Sequence, residues 1–387
     1  MNRLSFAAVA VFAAFAAIGS GIEKWDPRMA AKGAEVDEAG VKWIDGCNMP
    51  IEGRAYDDVD AFYDRLPSGV TTNVNGGVRS MKHHTAGMQL RFVTDSDFVA
   101  VKFSNYNASK GMYHMPELGA SGVDVYRLDR DTGKWRFVKS SHNAQVKQVN
   151  DKETVRIFRA PWKKGEPCIV NLPLYNGIGK LWIGIAKDAK IDPPPPHRSG
   201  IEKPVVFYGT SITHGGCASR PGLAFPSIIG RGLDVPIVNL GFSGSGVMEF
   251  EMSEHIARID ASCYVLDCLW NMSAYAQKGS PGRSFEENYE KFIRNLRAKR
   301  PNVPIVMAEQ SDVFKSGRFN VINGMNKALY EKLVAEGWKN LVYLPADEMF
   351  DGSFEGTVDG CHPNDLGMVT MAKVYGKAVA KALNLQK

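Results

Sequence analysis

Two hydrophobic periods divide the chain. From Trp43 to about Ala186 apolar and polar positions tend to alternate, the period of a strand with one buried face. Gln89–Val93 and Phe98–Phe103 lie on either side of a turn-forming Asp95-Ser96-Asp97, and Val123–Leu128 repeats their pattern. Asp131-Thr132-Gly133 turns into Lys134–Val138, and Thr154–Phe158, Cys168–Leu172 and Lys180–Ile185 complete a set of short strands. Short strands at regular spacing with turns between them predict a β-sandwich.

Beyond residue 200 the pattern changes. Continuous apolar runs at Val205–Tyr208, Ile237–Leu240, Tyr264–Leu269, Val303–Ala308 and Leu341–Leu344 alternate with helical periodicity. Ser284 and Glu287 form a capping box for a helix whose face is Phe285, Tyr289, Phe292, Ile293 and Leu296, ending at Arg300-Pro301. Further helices are predicted near Val321–Glu336 and Leu366–Leu383. Alternating strands and helices with strands apolar throughout imply an α/β domain, its parallel sheet of about five strands covered on both faces. Between the two regions, Asp192-Pro193-Pro194-Pro195-Pro196-His197-Arg198 predicts an extended, stiff spacer. The division is therefore 21–191 for the sandwich, 192–199 for the linker and 200–387 for the α/β domain.

The first twenty residues belong to neither period. Arg3 precedes a mainly apolar stretch from Leu4 to Ile18, and Ala17-Ile18-Gly19-Ser20 supplies small residues for cleavage. This predicts a signal peptide, an exported protein and no stable membrane insertion after cleavage, with an uncleaved anchor as the alternative. The composition of the whole chain is that of an ordinary globular protein, 44% apolar and 23% charged. A net charge of +5 spread over 387 residues, without a basic stripe, argues against nucleic acid as a partner. Six cysteines permit disulfides in an exported chain without requiring them. Cys263 and Cys268 lie in an apolar run and read as buried thiols. Cys217 and Cys361 flank candidate catalytic segments, so a bridge between them is one arrangement and two free thiols the other. No Cys/His spacing resembles a zinc site.

The chemistry concentrates at strand ends. Val205–Tyr208 followed by Gly209-Thr210-Ser211 reads as a strand, a turn and the start of a helix. A serine at a helix N-terminus sits where unpaired N–H groups favour developing negative charge. The same residues also read as a plain helix cap. Open sheets bind ligands beyond the carboxyl ends of their strands, and Ser211, Gly241, Asn271 and Asp359–His362 all fall there. Asn271 closing a turn, and Asp359 and His362 capping the following helix, are the structural alternatives.

Gly209-Thr210-Ser211, Asn239-Leu240-Gly241, Trp270-Asn271-Met272 and Asp359-Gly360-Cys361-His362-Pro363 resemble, in order and spacing, the blocks of the SGNH (GDSL-type) hydrolase superfamily. The first half resembles the β-sandwich that the Gly-Thr-Ser branch carries ahead of a three-layer α/β/α catalytic domain. Trp43-Ile44-Asp45-Gly46, Glu52-Gly53-Arg54, Tyr63-Asp64-Arg65-Leu66-Pro67 and Gly122-Val123-Asp124-Val125-Tyr126 carry that likeness. The resemblance implies a serine esterase needing no cofactor or metal. Ser211 would be the nucleophile, His362 the base and Asp359 its orienting carboxylate. The N–H groups of Ser211 and Gly241 and the amide of Asn271 would form the oxyanion hole. Thr210 and Met272 stand where the superfamily's usual aspartates fall, which weakens any transfer of substrate preference.

An exported esterase acting on short acyl groups of a carbohydrate leads; an acyltransferase to an alcohol and a non-catalytic carbohydrate-binding protein are the alternatives. Arg220 and His214 are candidate substrate contacts, His214 at the rim of the site. His83-His84 point opposite ways in an extended chain and make no metal site alone. Trp135, Trp162, Trp182 and Tyr175 read as sandwich core, or in one case as a platform for a sugar.

Overall fold

The computed structural model describes residues 35–385 apart from 71–72, 109–110, 152, 274–283 and 351. The signal-peptide reading of residues 1–20 falls outside the described residues. The first half is two antiparallel sheets packed face to face. One runs in the order Glu35–Val36, Val41–Asp45, Ile178–Ala186, Phe98–Asn105, Glu153–Pro161, Gln145–Asn150. The other runs Ile191–Asp192, Gln89–Thr94, Pro167–Asn171, Asp124–Asp129, Lys134–Ser140, with Ile51–Glu52 also pairing on Gln89–Thr94. Leu90, Phe92, Val101, Phe103, Val125 and Ile183 meet between the sheets with no exposed surface. Each such side chain contributes about 1.5–3 kcal/mol of burial. The strand Gln145–Asn150 is exposed at every residue, so it has no apolar alternation to announce it.

The second half is a parallel sheet of β1 (Val205–Gly209), β2 (Ile237–Gly241), β3 (Cys263–Asp267), β4 (Ile305–Ala308) and β5 (Leu341–Leu344), in the order β2-β1-β3-β4-β5. Among the described residues seven α-helices accompany it: α1 (Ser211–His214), α2 (Phe225–Leu233), α3 (Phe250–Ile256), α4 (Leu269–Met272), α5 (Lys291–Lys299), α6 (Asn320–Ala335) and α7 (Asp365–Ala382). Ile229 of α2 and Met371, Tyr375 and Val379 of α7 cover one face. Met252 of α3, Phe292 and Leu296 of α5 and Leu329 and Leu333 of α6 cover the other. Both faces being dry explains why β1 to β4 are buried at every residue. The fold is thus a three-layer α/β/α domain of five parallel strands preceded by a β-sandwich.

Two expectations change. The run Tyr264–Leu269 is not one strand: β3 stops at Asp267, and Leu269 opens α4, which carries Asn271. The proline-rich segment is extended but is no free spacer. Ile191–Asp192 adds to a sandwich sheet, and His197 lies 3.1 Å from Glu52 and 3.2 Å from Asp234. Glu52 also takes Arg91 at 3.2 Å, and Asp234 takes Arg198 at 2.7 Å. Glu52 belongs to the sandwich and Asp234 follows α2, so the segment fastens the two halves through a cluster of charges.

Burial opposes ionisation of Glu52, but hydrogen bonding to His197 and the charges of Arg91 and His197 bring its carboxyl down to about 2. Asp234 is likewise lowered, its own burial outweighed by His197 and Arg198. Burial pulls His197 down, and its two carboxylate partners more than reverse this, raising it. Stability from lowered carboxyls is present above about pH 4.5 and is lost as pH falls toward their folded values. Stability from a raised imidazole is complete below about pH 6.5 and is lost as pH rises through its folded value. Melting temperature against pH should therefore peak between these limits, and His197→Gln should flatten the alkaline side. A variant whose alkaline limb matches that of the parent protein would remove this cluster from the account.

Candidate active site

The residue after β1 is Thr210, whose hydroxyl accepts the Ile212 N–H at 3.2 Å and caps α1. Ser211 is the first residue of that helix and only 5% exposed. The second segment precedes α7, where Asp359 folds the chain on itself. Its Oδ1 accepts the N–H groups of Cys361 at 2.9 Å and His362 at 2.7 Å, while Oδ2 meets His362 Nδ1 at 2.7 Å. Gly360 makes this turn with φ +79°, and a Cβ there would lie 2.4 Å from the Phe314 ring. His362 Nε2 then lies 2.9 Å from Ser211 Oγ. Serine, imidazole and carboxylate form one hydrogen-bonded line. Burial opposes ionisation of Asp359, but hydrogen bonds from His362 and Cys361 hold its carboxyl below the usual range.

Two sets of contacts keep the segments together. The Cys217 N–H donates to the Pro363 carbonyl at 3.0 Å, and the Ser219 N–H and hydroxyl donate to Asp365 at 2.8 and 2.6 Å. Beneath them Asp267, at the end of β3, accepts the hydroxyls of Thr213 (2.6 Å, from α1) and Tyr375 (2.8 Å, from α7). Burial lifts the Asp267 carboxyl to about 6 against those two hydrogen bonds. Sequence reasoning placed this aspartate inside an apolar strand and missed its part in seating α1. A carboxylate in such a run was the available signal.

The sandwich half reaches the same place. Arg65, 1% exposed, donates to the carbonyls of Asn239 (3.2 Å), Gly241 (2.8 Å) and Met81 (2.9 Å), and lies over the Phe242 ring at 4.6 Å. Burial lowers its guanidinium to about 9. Tyr175 donates its hydroxyl to the Ser211 carbonyl at 3.0 Å and stacks on His214 at 4.1 Å.

Several site expectations need correction. The Gly241 N–H is already bonded to Asn239 Oδ1 at 2.8 Å, so it is not free for an oxyanion. Glycine is required there because a Cβ would lie 2.2 Å from the His214 backbone N of α1. Asn271 sits in α4, its Nδ2 donating to the Gly246 carbonyl at 3.2 Å. His214 is not at the rim. It has no exposed surface, lies 3.3 Å from His84 Nδ1, and is driven well below the usual imidazole range first by burial and then by the Arg65 charge. Arg220 turns to the sandwich, bonding Asp124 at 3.0 Å and the Tyr126 hydroxyl and covering the Phe137 ring at 4.0 Å. Neither is placed to touch substrate. Cys217 and Cys361 are free thiols. His83 and His84 do diverge: His83 meets Asp64 at 2.7 Å, whereas His84 faces His214.

A covered parallel sheet with serine, imidazole and carboxylate aligned at its carboxyl edge is the framework of an acyl-transfer enzyme. Residues 202–380 match the GDSL-like lipase/acylhydrolase family, and residues 41–191 match the domain described as the N-terminus of SGNH-hydrolase-type esterases. The catalytic half thus falls in this family and the first half in its N-terminal companion domain, and the chain is a carboxylic ester hydrolase. Among curated proteins none matches it. Among solved structures, a candidate GDSL-like lipase from Bacteroides ovatus ATCC 8483 is 28% identical, covering 89% of this chain and 99% of its own, with a TM-score of 0.74. The salicylyl-acyltransferase SsfX3 of a tetracycline biosynthetic pathway is 17% identical over 90% of this chain and 99% of its own, with a TM-score of 0.70. A family two carbohydrate esterase from Clostridium thermocellum, solved with cellohexaose, is 13% identical over 77% of this chain and 93% of its own, with a TM-score of 0.54. The last two are likenesses of fold.

Arg65→Met would leave three carbonyls, those of Asn239 and Gly241 buried and that of Met81 half-buried, without this donor. It should lower unfolding stability by about 3 kcal/mol, at 1–3 kcal/mol for each group left unpaired less what the apolar replacement regains. Urea unfolding of the full chain measures this, and an unchanged midpoint would contradict the role given to Arg65.

Proposed function

We propose that the protein is an exported serine esterase that removes short acyl groups, acetyl first among them, from carbohydrate. The observation that carries the chemistry is the line from Ser211 Oγ to His362 Nε2 to Asp359, at 2.9 and 2.7 Å. His362 takes the hydroxyl proton as Oγ attacks the acyl carbonyl, and Asp359 steadies the imidazolium that forms. The imidazolium returns that proton to the departing alcohol, leaving an acyl-serine. Water activated by the same nitrogen then releases the acid.

The negative oxygen of the tetrahedral species needs donors, and the Ser211 N–H and the Asn271 amide are two. With Gly241 engaged, the third is assigned to the neighbouring turn at Ser243–Gly244. Gly244 is exposed, has φ +66° and has open space where a Cβ would lie. Ser243 lies beside Tyr175, whose hydroxyl donates to the carbonyl of the nucleophile Ser211 at 3.0 Å. Removing one donor typically lowers kcat by about 10²–10³-fold.

Carbohydrate as the alcohol part of the ester is supported by the sandwich ahead of the catalytic domain, an architecture shared in fold with the cellohexaose-bound esterase. Export is supported by the charged and apolar pattern of residues 1–20; no helix among the described residues is long and apolar enough to cross a membrane. A second reading, transfer of the acyl group to an alcohol instead of water, is favoured by the likeness to the salicylyl-acyltransferase across both halves.

A panel of acetylated sugars, aryl acetates and long-chain lipid esters, assayed with and without added alcohol, tests the reading. Acetylated sugars should be hydrolysed, and Asn271→Ala should lower kcat by about 10²–10³-fold with KM little changed. Turnover of long-chain esters alone would refute the substrate class, and products appearing on the added alcohol in preference to free acid would favour the transferase.

A further inference from the structure

Two further ligand-type side chains, His114 and Cys217, crowd the catalytic histidine. Met112 and Met115 pair through both backbone hydrogen bonds, 3.2 and 3.1 Å, making a tight hairpin with Tyr113 and His114 at its tip. The hairpin comes from the sandwich half, and His114 lies against His362 with ring centroids 5.3 Å apart. His114 Nδ1 is buried and has no hydrogen-bond partner. Cys217, 4% exposed, completes the group: ligand atoms of His114, Cys217 and His362 all lie within 4.8 Å of one another. These residues are 103 and 145 positions apart, so no motif spacing reveals them.

We propose that His114, Cys217 and His362 form a binding site for a zinc-class divalent cation that switches the esterase off. One thiolate and two imidazoles suit zinc and exclude magnesium or calcium, which prefer oxygen donors. Tetrahedral zinc sets nitrogen and sulfur ligands roughly 3.3–3.6 Å apart, so side-chain shifts of about 1 Å close the triangle. His362 is already prepared as a ligand, because Asp359 on Nδ1 supplies the carboxylate that metal-bound histidines usually carry. Nε2 is the nitrogen left to bind, and it is the one that faces Ser211 Oγ. As the zinc–sulfur bond forms, the Cys217 thiol releases its proton to solvent. The metal holds the Nε2 lone pair, so it cannot accept the serine proton. Inhibition therefore rests on the reading of His362 as the base, whereas the site itself does not.

The full chain, titrated with Co²⁺ and separately with Zn²⁺, tests this. Co²⁺ should give thiolate-to-metal charge-transfer and tetrahedral d–d bands at one equivalent, and Cys217→Ala should lose the charge-transfer band. Zn²⁺ should suppress ester hydrolysis, with EDTA restoring it. Cys217→Ala and His114→Ala should each keep hydrolysis within a few-fold while raising the half-inhibitory zinc concentration by at least about tenfold. If Cys217→Ala does not fold, His114→Ala decides alone. Absence of the thiolate band in the parent protein, or equal zinc inhibition in parent and variants, would overturn the proposal. A cobalt spectrum without ester hydrolysis would leave the site standing and sink the esterase reading; hydrolysis without metal binding would do the reverse.

Discussion

The catalytic half is held to its geometry by a join between residues far apart in sequence: the segment after α1 is stitched to the segment before α7. Cys217 to Pro363 and Ser219 to Asp365 are the stitches, and Asp267 ties the helices beneath them. Ser211 and His362 are 151 residues apart, and a hydrogen bond of 2.9 Å between them tolerates little drift. Parallel strands deliver both segments to one edge of the sheet, and the side-chain and backbone bonds then set the last ångström. Without them the same fold would carry the same residues and do no chemistry.

The sandwich is part of that arrangement. Arg65 enters the α/β half and holds the carbonyls at the end of β2, while Tyr175 and His84 pack around α1 from the same side. A buried guanidinium bonded only to carbonyls among its recorded contacts is costly to desolvate. It also keeps its surroundings neutral: beside it, burial and the positive charge push His84 down to about 3. Buried His214 and half-buried His84 are thereby both kept uncharged beside α1. The hairpin that brings His114 to His362 comes from the same half, so both the support and the control of the site are read as contributions of the sandwich.

Much of this was legible in the sequence, for a physical reason. Apolar runs report burial, so β1, β2, β4 and β5 and the helices α5, α6 and α7 were visible, whereas the short α2, α3 and α4 were not; at Ser284 the predicted cap is present, with the Glu287 N–H on the serine hydroxyl at 3.0 Å. The strand Gln145–Asn150 was not visible, because a strand wet on both faces carries no period. Asp359 and His362 were found because three residues separate them. Arg65, Asp267 and His114 were not, because their partners lie on other elements and only the fold brings them together. Gly241 misled for a related reason: a glycine at a strand end near the nucleophile reads as an oxyanion donor, whereas its N–H is taken by Asn239 and its missing Cβ makes room for a helix. Arg220 and His214, near Ser211 in sequence, turn away from it in space.

The central claim is that the Ser211 hydroxyl is made nucleophilic by His362, and covalent trapping tests it most directly. The full chain is treated with a fluorophosphonate, digested, and the modified peptide mapped by mass spectrometry, in parallel with His362→Ala. A single stoichiometric adduct should form on Ser211, and far more slowly in the variant. An adduct elsewhere, or equal labelling rates in the two proteins, would contradict it.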